Sequence, residues 1–357
     1  MGSKVRVAII GLGMGTSHAQ GYLQVPDCEL VAVADSNPER LNRNIEPNGK
    51  ESYVQRLGAS NCFADYKQML RTAKPDLVSV ALPNFLHAPV TLDCLKAGAH
   101  VLCEKPMAMN VKEAKTMAGT ARKLKKKLGI NLSYRYTPQA RALKDLAESG
   151  FLGKPYHAQT RWTRRDGFPG FGSWFGQKKL SGGGPLIDLG VHRIDLAMWL
   201  MGNPQPVSVS GACHHEIGVP RGKRMKKAYD CEDLAAGFIR FDNGVSLVLE
   251  ISWGNHQAQP EMMSTSVYGS KGALVHRNEG GGYQFVGEYF YEQNGHKLAG
   301  TVAAASPSAR SAYYEMVDAI INNKKLLADA EDGIRIQRVL DGLYQSAATG
   351  REVRVSS

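Results

Sequence analysis

Residues 4–35, KVRVAIIGLGMGTSHAQGYLQVPDCELVAVAD, decide the fold of this protein. The stretch begins with a short apolar run that ends in three closely spaced glycines. A helix-like segment follows at 17–27, and a second apolar run follows at 28–35. Short apolar runs flanked by glycine are typical of buried strands, so a helical segment between two of them predicts a β-α-β unit.

The same alternation continues to about residue 134. Helix-like segments at 64–72, 87–98 and 111–127 alternate with apolar runs at 76–83, 100–106 and 129–134. Strands that alternate with helices predict a Rossmann-type, doubly wound parallel sheet with helices on both faces.

The pattern changes after about residue 150. Strand-like runs now follow one another with turn signals between them, such as Asp242-Asn243-Gly244, which is typical of a hairpin. We therefore expect an α/β protein whose C-terminal part contains a large, mostly antiparallel open sheet. The predicted domains are 1–130 and 131–357, with the final helix either in the second domain or packed back on the first.

The composition excludes several classes of protein. Of the 357 residues, 43% are apolar and 22% are charged, which suits a globular chain with a sizeable core. The net charge is +11, but the basic runs at 122–129 and 221–227 lack the interleaved aromatic residues of a nucleic-acid surface. No apolar run approaches the roughly 18 residues of a membrane helix, and a strand begins within four residues of the N-terminus. We expect a cytoplasmic protein with neither a nucleic-acid nor a membrane partner.

The cysteine and histidine spacing predicts no metal site. The six cysteines lie far apart with no C-x-x-C pair, which indicates reduced thiols. His214 and His215 are adjacent, and neighbours share a face in neither a helix nor a strand.

The glycine turn indicates a dinucleotide site. Gly11, Gly13, Met14 and Gly15 lie between a strand and a helix, where glycines let the backbone approach a pyrophosphate at the helix N-terminus. The third glycine of the usual G-x-G-x-x-G pattern is replaced by Thr16, and Gly15 comes one residue early. The alternative is a simple strand-helix turn.

Asp35 ends the second predicted strand and bears on the choice of cofactor. Its carboxylate would accept hydrogen bonds from a ribose 2′-hydroxyl and repel a 2′-phosphate, which favours NAD over NADP. Arg40 would soften that preference, because an arginine in this region can hold a 2′-phosphate. The alternative role for Asp35 is that of a turn or helix-cap residue.

Lys105 follows the fifth predicted strand, in the sequence HVLCEKP. Ligands of doubly wound sheets bind at the carboxyl ends of the strands, so this lysine is expected to face the nicotinamide. Near a cationic nicotinamide and partly desolvated, its pKa should fall toward the working range, so that it can polarise a substrate hydroxyl. Pro106 fixes the turn.

Asp188 and His192 are four residues apart on a predicted helix and therefore share a face. A carboxylate that accepts from one ring nitrogen leaves the other ready to take a proton, as a general base near neutral pH requires. On the pattern alone, a buried structural pair is an equal alternative.

Several segments together resemble the glucose-fructose oxidoreductase and inositol dehydrogenase family (Gfo/Idh/MocA). The resemblance covers nearly the whole chain, and its most specific part is the Glu-Lys-Pro and Asp-x-x-x-His combination. It rests on AIIGLGMGTSHA (8–19), VADSNPER (33–40), ALPNFLHAPVTLDCLKAGAHVLCEKPMA (81–108), YRYTP (134–138), GGGPLIDLGVHRIDLAMWLMG (182–202) and YQSAATGREVRV (344–355).

The resemblance implies a Rossmann domain followed by an α/β domain whose open sheet lines a substrate cleft and builds homo-oligomers, either dimers, tetramers or higher. It implies a catalytic trio of Lys105, Asp188 and His192. We expect an amine from the first half of the chain and an imidazole from the second to act on one carbinol.

The resemblance also assigns residues to the cofactor. Pro83, Asn84 and His87 match the segment beside the cofactor ribose, although His87 is equally able to cap the next helix. Glu104 and Lys105 are assigned to the cofactor as well.

An aromatic, arginine-bearing loop at 161–184 suggests the substrate. Aromatic rings offer apolar faces to a pyranose, and arginines offer hydrogen bonds to hydroxyls. An oligomer contact or a self-packed loop is the alternative for the loop, and a bracing role is the alternative for Arg135 and Tyr136. The substrate candidates are Lys105, Arg135, Tyr136, Trp162, Arg164, Arg165, Trp174, Asp188 and His192, and the loop also contains Asp166, Phe168, Phe171 and Phe175.

The predicted reaction is NAD(P)-dependent oxidation of a secondary hydroxyl of a sugar or glycoside by hydride transfer, as in the family branch that often acts on the 3-hydroxyl. The rivals are an inositol dehydrogenase or another reductase of the same family, and a sensor that binds NAD and sugar without turnover. The retained Lys105 argues against the sensor.

Overall fold

The first sheet is parallel throughout and is built from the N-terminal segments. The computed structural model describes residues 4–42, 57–303 and 310–355. The strands are β1 Val5–Ile10, β2 Cys28–Ala34, β3 Cys62–Phe63, β4 Leu77–Val80, β5 His100–Cys103 and β6 Leu128–Ile130. Their spatial order is β3-β2-β1-β4-β5-β6, with every neighbouring pair parallel. This is the Rossmann order, so the predicted doubly wound parallel sheet is confirmed.

The central strands of this sheet are buried because helices cover both faces. Val7, Ala8 and Ile9 of β1 are fully buried, as are Leu77 and Val78 of β4. Continuous apolar runs of this kind are what a two-sided sheet requires. The covering helices are α1 Gly15–Tyr22, α2 Pro38–Leu41, α3 Tyr66–Ala73, α4 His87–Lys96 and α5 Val111–Lys123.

Helix caps explain where two of these helices begin. The side chain of Asp65 accepts a hydrogen bond from Lys67 N ahead of α3. Asn110 accepts from Glu113 N, and Glu113 accepts in return from Met109 N, so α5 begins in a capping box shifted by one residue.

The second sheet is mostly antiparallel, as predicted. Its strands are β7 Pro155–Arg164, β8 Pro206–His214, β9 Leu234–Phe241, β10 Ser246–Ser252, β11 Glu261–Gly269, β12 Gly272–Asn278, β13 Phe285–Gln293, β14 His296–Thr301 and β15 Val353–Arg354. The spatial order is β14-β13-β12-β11-β7-β10-β9-β8-β15. Among the described strands of this second sheet, only β7 and β10 pair in parallel. The predicted hairpin at 242–244 is confirmed, since it joins the antiparallel strands β9 and β10.

Helices of the C-terminal half complete the fold. They are α6 Pro138–Glu148, α7 Lys178–Ser181, α8 Val191–Leu200, α9 Gly218–Arg224, α10 Ala312–Ile321 and α11 Ala330–Thr349. Across the parts of the chain that the structure describes, no helix combines the length and apolar character needed to cross a membrane.

The contacts divide the chain into two units. The first contains Met1–Asn131 and Arg310–Ile334, and the second contains Leu132–Ala309 and Arg335–Ser357. Helix α10 thus belongs with the parallel sheet, although it follows the whole second sheet in sequence.

Candidate functional site

The glycine turn joins β1 to α1 by close backbone approach. Gly11 has φ +91°, and a Cβ added there would lie 2.3 Å from the carbonyl oxygen of Ala81, so only glycine fits. A Cβ at Gly15 would lie 2.7 Å from Cγ2 of Ile9. Gly15 therefore allows α1 to pack against β1, which is the task of the third glycine in the usual motif.

The surface of the turn is open in front of α1. Gly13 and Met14 are exposed, and a Cβ at Gly13 would find only the guanidinium of Arg40, at 3.8 Å or more. Open backbone of this kind at a helix N-terminus suits a pyrophosphate. The residues present therefore fit the phosphates of a dinucleotide.

Asp35 ties the end of β2 to the glycine turn. Its Oδ2 accepts from Leu12 N at 2.7 Å, and its Oδ1 accepts from Asn37 N at 2.8 Å. Arg40, whose side chain is 42% exposed, donates to Oδ2 at 3.1 Å. The predicted cofactor discriminators Asp35 and Arg40 thus form one ion pair beside Gly13.

Lys105 lies at the carboxyl edge of the first sheet. The loops after β1, β4 and β5 emerge at this edge because the strands are parallel, and they carry the glycine turn, Pro83 and Lys105 respectively. Lys105 is half-buried, and its backbone N donates to Glu104 Oε2 at 3.1 Å.

Glu104 is a buried carboxylate that the protein itself satisfies. Its Oε1 lies 2.8 Å from His18 Nε2 and 2.6 Å from the donor Asn131 Nδ2. Burial acts to raise the pKa of Glu104, but the hydrogen bond and charge of His18, the charge of Lys105 and the Asn131 bond outweigh it and lower the pKa to about 2. These internal contacts hold the carboxylate in place, and the cofactor contact of Glu104 stays a prediction.

His87 is also held by the protein. It is fully buried, with Nδ1 2.7 Å from the carbonyl oxygen of Pro106 and Nε2 2.8 Å from that of Leu82. Burial lowers the pKa of His87, against the two carbonyl contacts that raise it. The ring binds carbonyls instead of capping helix amides, and it links the loops that contain Pro83 and Lys105. Asn84 is buried in the short 3₁₀ turn just before α4.

Asp188 lies on a π-helical turn, Leu186–Gly190, that leads directly into α8. Its Oδ2 accepts from Trp253 Nε1 at 3.0 Å. The wider winding of a π turn changes which residues share a face, so the i,i+4 spacing to His192 does not describe this segment. Such turns are frequent at functional sites, and nothing in the sequence signalled this one.

Aromatic rings surround His192 at the start of α8. The ring centroid of His192 lies 5.1 Å from that of Tyr134 and 5.9 Å from that of Trp162. Trp162, a predicted substrate residue, is buried and donates from Nε1 to Glu261 at 2.7 Å. The sequence reasoning missed Tyr134, although the matched YRYTP motif contains it.

Arg193 is a buried cation next to His192 that the sequence reasoning also missed. Its guanidinium carbon lies 4.4 Å from the ring centroid of Tyr134 and 5.1 Å from that of Trp162. Within the described residues, its Nε and Nη1 contact no hydrogen-bond acceptor. Burial and the charge of Arg193 lower the pKa of His276, a neighbour of Tyr134, to about 3.

The arginines of the predicted substrate loop have protein partners. Arg164 donates to Glu261 at 2.6 Å and to the hydroxyl of Tyr283 at 3.1 Å. Arg165 is exposed and donates to the carbonyl oxygens of Gln257 and Ala258. Trp162 donates to the same Glu261 oxygen, so the ion pair places Arg164 beside the ring cluster around His192.

The rest of the loop packs partly on itself. Phe168 and Phe171 lie against Tyr229, at ring-centroid distances of 5.8 and 5.0 Å. Trp174 and Phe175 stack with centroids 3.9 Å apart and remain partly exposed. Phe168 and Phe171 are thus packed within the protein, as the self-packed alternative expects. Trp174 has an exposed part that a ligand can contact.

Arg135 is buried, with 1% of its surface exposed, and its Nε and Nη2 donate to both oxygens of Asp195. A guanidinium held in this way favours the bracing role that the sequence left open. Tyr136 is half-buried and ends the 3₁₀ turn Ser133–Tyr136.

Together, the Rossmann sheet, the glycine turn and Asp35 define a dinucleotide-binding protein. The family model described as "Oxidoreductase family, NAD-binding Rossmann fold" matches residues 5–132. The model described as "Oxidoreductase family, C-terminal alpha/beta domain" matches residues 144–355. The chain belongs to the Gfo/Idh/MocA oxidoreductase family, and its cofactor is NAD.

Individual relatives extend this similarity. The D-glucoside 3-dehydrogenase of Escherichia coli is 36% identical over 364 residues, covering 99% of this chain and 98% of the relative. The levoglucosan dehydrogenase of Pseudarthrobacter phenanthrenivorans is 26% identical, covering 77% of this chain and 74% of the relative. The crystal structure of an oxidoreductase domain protein from Kribbella flavida superimposes with TM-score 0.87 at 22% identity over 100% of both chains, which confirms the fold.

Proposed function

We propose that this protein is an NAD-dependent dehydrogenase that oxidises a secondary hydroxyl of a sugar or glycoside, the 3-hydroxyl of a glucoside in particular. The observation that carries the proposal is the 36% identity to a D-glucoside 3-dehydrogenase along essentially the full length of both chains. The partly exposed Trp174 and the ring cluster around His192 also support a polyhydroxylated substrate with apolar C–H faces.

The proposed roles follow from the chemistry of each side chain. His192 accepts the hydroxyl proton, and Asp188 orients the helical turn from which His192 projects. Lys105 donates a hydrogen bond to the same oxygen and stabilises its developing negative charge. When bound, NAD supplies the hydride acceptor that oxidation of a carbinol requires. The carbinol thus loses one proton and one hydride and becomes a ketone.

A substrate panel tests the proposed function. Purified protein is incubated with NAD and methyl glucosides, levoglucosan or myo-inositol, and reduced nicotinamide is followed by its absorbance. We expect the glucosides to be oxidised and NMR of the product to locate the ketone at C3. A methyl 3-deoxyglucoside is the matched control and should give no reduction. Turnover of the deoxy compound would overturn the position, and no turnover of any polyol would overturn the substrate class.

Lys105→Ala tests the proposed role of the lysine. Because the interaction is made with developing charge, kcat should fall on the order of 10² or more while the affinity for NADH stays close to that of the unaltered protein. An unchanged kcat would remove Lys105 from the mechanism.

We also propose that the protein is a homo-oligomer. Val248 of β10 and Phe290 of β13 are each 40% exposed, and a second copy of the chain would cover such apolar side chains. Light scattering on the purified protein measures the state directly. The cytoplasmic location and the absence of a nucleic-acid partner stay predictions from the sequence.

A further inference from the structure

A relay of buried hydrogen bonds leads from α1 to the backbone of Lys105. Ser79 Oγ lies 2.6 Å from His18 Nδ1, and His18 Nε2 lies 2.8 Å from Glu104 Oε1. The other oxygen of Glu104 accepts from Lys105 N at 3.1 Å. One carboxylate therefore connects the imidazole of His18 to the main chain of the lysine.

Asn131 and Tyr313 make further contacts with Glu104 and His18, respectively. Asn131, which directly follows β6, donates from Nδ2 to Glu104 Oε1 at 2.6 Å, and its backbone N donates to Cys103 O at 2.8 Å. The ring of Tyr313 lies edge-on to that of His18, with centroids 5.2 Å apart. The Glu104 carboxylate is thus fixed by side chains from two different elements.

His18 is itself too deeply buried to reach a ligand. It is fully buried, and the side chain of Glu104 is 11% exposed. A buried carboxylate is costly unless its oxygens are hydrogen-bonded, so loss of one donor would let Glu104 and the following backbone shift. Any effect of His18 on the reaction must pass through Glu104.

We infer that His18 is a positioning residue, which holds Lys105 in its reactive place through the hydrogen bond to Glu104. The inference rests on the catalytic role proposed above for Lys105. A displacement of about 1 Å in a catalytic group can cost on the order of 10² in rate, so the loss of this anchor has a measurable consequence.

A pair of substitutions at the same position tests the inference. The amide nitrogen of a glutamine reaches about the place of Nε2, and that of an asparagine reaches about the place of Nδ1. His18→Gln therefore retains the donor to Glu104, and His18→Asn removes it while retaining a partner for Ser79. We expect kcat to fall roughly 10- to 100-fold in His18→Asn, with the KM values and the NADH affinity within about threefold of those of the unaltered protein. His18→Gln should restore most of kcat.

A second histidine serves as the control. His100, at the start of β5, is half-buried and accepts from Lys127 N at 2.8 Å, away from Glu104. His100→Gln should leave kcat unchanged, even where it lowers the melting temperature as much as the His18 variants do.

The outcomes separate the inference from the proposed function. An active Lys105→Ala protein would overturn the role of the lysine and the inference together. An inactive Lys105→Ala protein beside fully active His18→Asn would overturn the inference alone. Equal losses in His18→Asn and His18→Gln would show that His18 only stabilises the fold, which also overturns it.

Discussion

The ion pair of Asp35 and Arg40 is the contact on which the form of the cofactor depends. The carboxylate accepts from two backbone amides and from the guanidinium, so its charge is partly balanced within the protein. A carboxylate disfavours a 2′-phosphate, whereas an exposed guanidinium attracts one. The two residues therefore act in opposite directions on the discrimination between NAD and NADP.

Removing the arginine should sharpen the preference for NAD. In Arg40→Ala, a 2′-phosphate loses a charge-assisted partner and faces an unbalanced carboxylate, so the ratio of kcat/KM for NAD to that for NADP should rise about tenfold. Initial rates with each cofactor measure the ratio. Arg71→Ala, at an exposed arginine of α3, is the control for a change in net charge. A ratio that does not move would show that Arg40 has no contact with the 2′ position.

At the scale of elements, close packing of α1 on β1 keeps the glycine turn in place. A Cβ at Gly15 would lie within 2.7 Å of Ile9, whereas a Cβ at Gly119 in α5 would meet nothing within 4 Å. The same substitution thus has opposite expected effects on two helices of one unit.

Gly15→Ala should destabilise the protein by about 1–3 kcal/mol, because overpacking forces α1 away from the sheet. It should also weaken NADH binding, since the turn moves with the helix. Gly119→Ala should stabilise the protein by about 0.5–1 kcal/mol through helix propensity. Urea unfolding and NADH titration provide both readouts. Equal stability of the two variants would mean that α1 has room to shift freely.

The elements predicted correctly from the sequence are those whose structure depends on a single local property, such as burial or backbone conformation. The strands of the first sheet are buried on both faces, so their apolar runs were visible without any tertiary knowledge. The glycine turn and the hairpin at 242–244 depend on local backbone chemistry, which is equally visible. The lysine after β5 was located because the ends of parallel strands meet at one edge.

The elements that escaped prediction depend on winding or on distant contacts. A regular helix was assumed around Asp188, and a π turn leaves no signature in residue spacing. Which residue of YRYTP faces His192 depends on how the 3₁₀ turn is rotated, and the structure selects Tyr134. The contacts of Glu104 with His18 and of His87 with the Pro106 carbonyl join residues that are distant in sequence, so they were not predicted.

Acid should destabilise the whole molecule through groups in both units. The pKa of His100 is lowered to about 4, chiefly by burial, and that of His276 to about 3 by burial and Arg193. A group with a lowered pKa binds its proton in the unfolded chain first, so stability falls as the pH drops. The loss for His276 covers the range from 6.5 down to about 3. Glu104 adds a loss from 4.5 down to about 2.

His276→Phe should flatten this dependence. The substitution keeps a ring stacked on Phe285, whose centroid lies 4.8 Å away, and removes the titration. Between pH 6 and 4, the free energy of unfolding of the variant should fall less steeply, by up to about 1.4 kcal/mol per pH unit. Urea unfolding at several pH values measures the two slopes. Parallel slopes would show that His276 takes up its proton equally well in the folded protein.

The chain returns to the first unit at residues 310–334, and this order affects when the contacts of α1 can form during translation. Helix α10 supplies Tyr313, whose ring contacts both His18 and Tyr22 of α1, at 5.2 and 4.9 Å. A ribosome delivers this tyrosine only after every residue of β7 through β14 has been translated. During synthesis, α1 therefore lacks these two ring contacts until α10 has been translated.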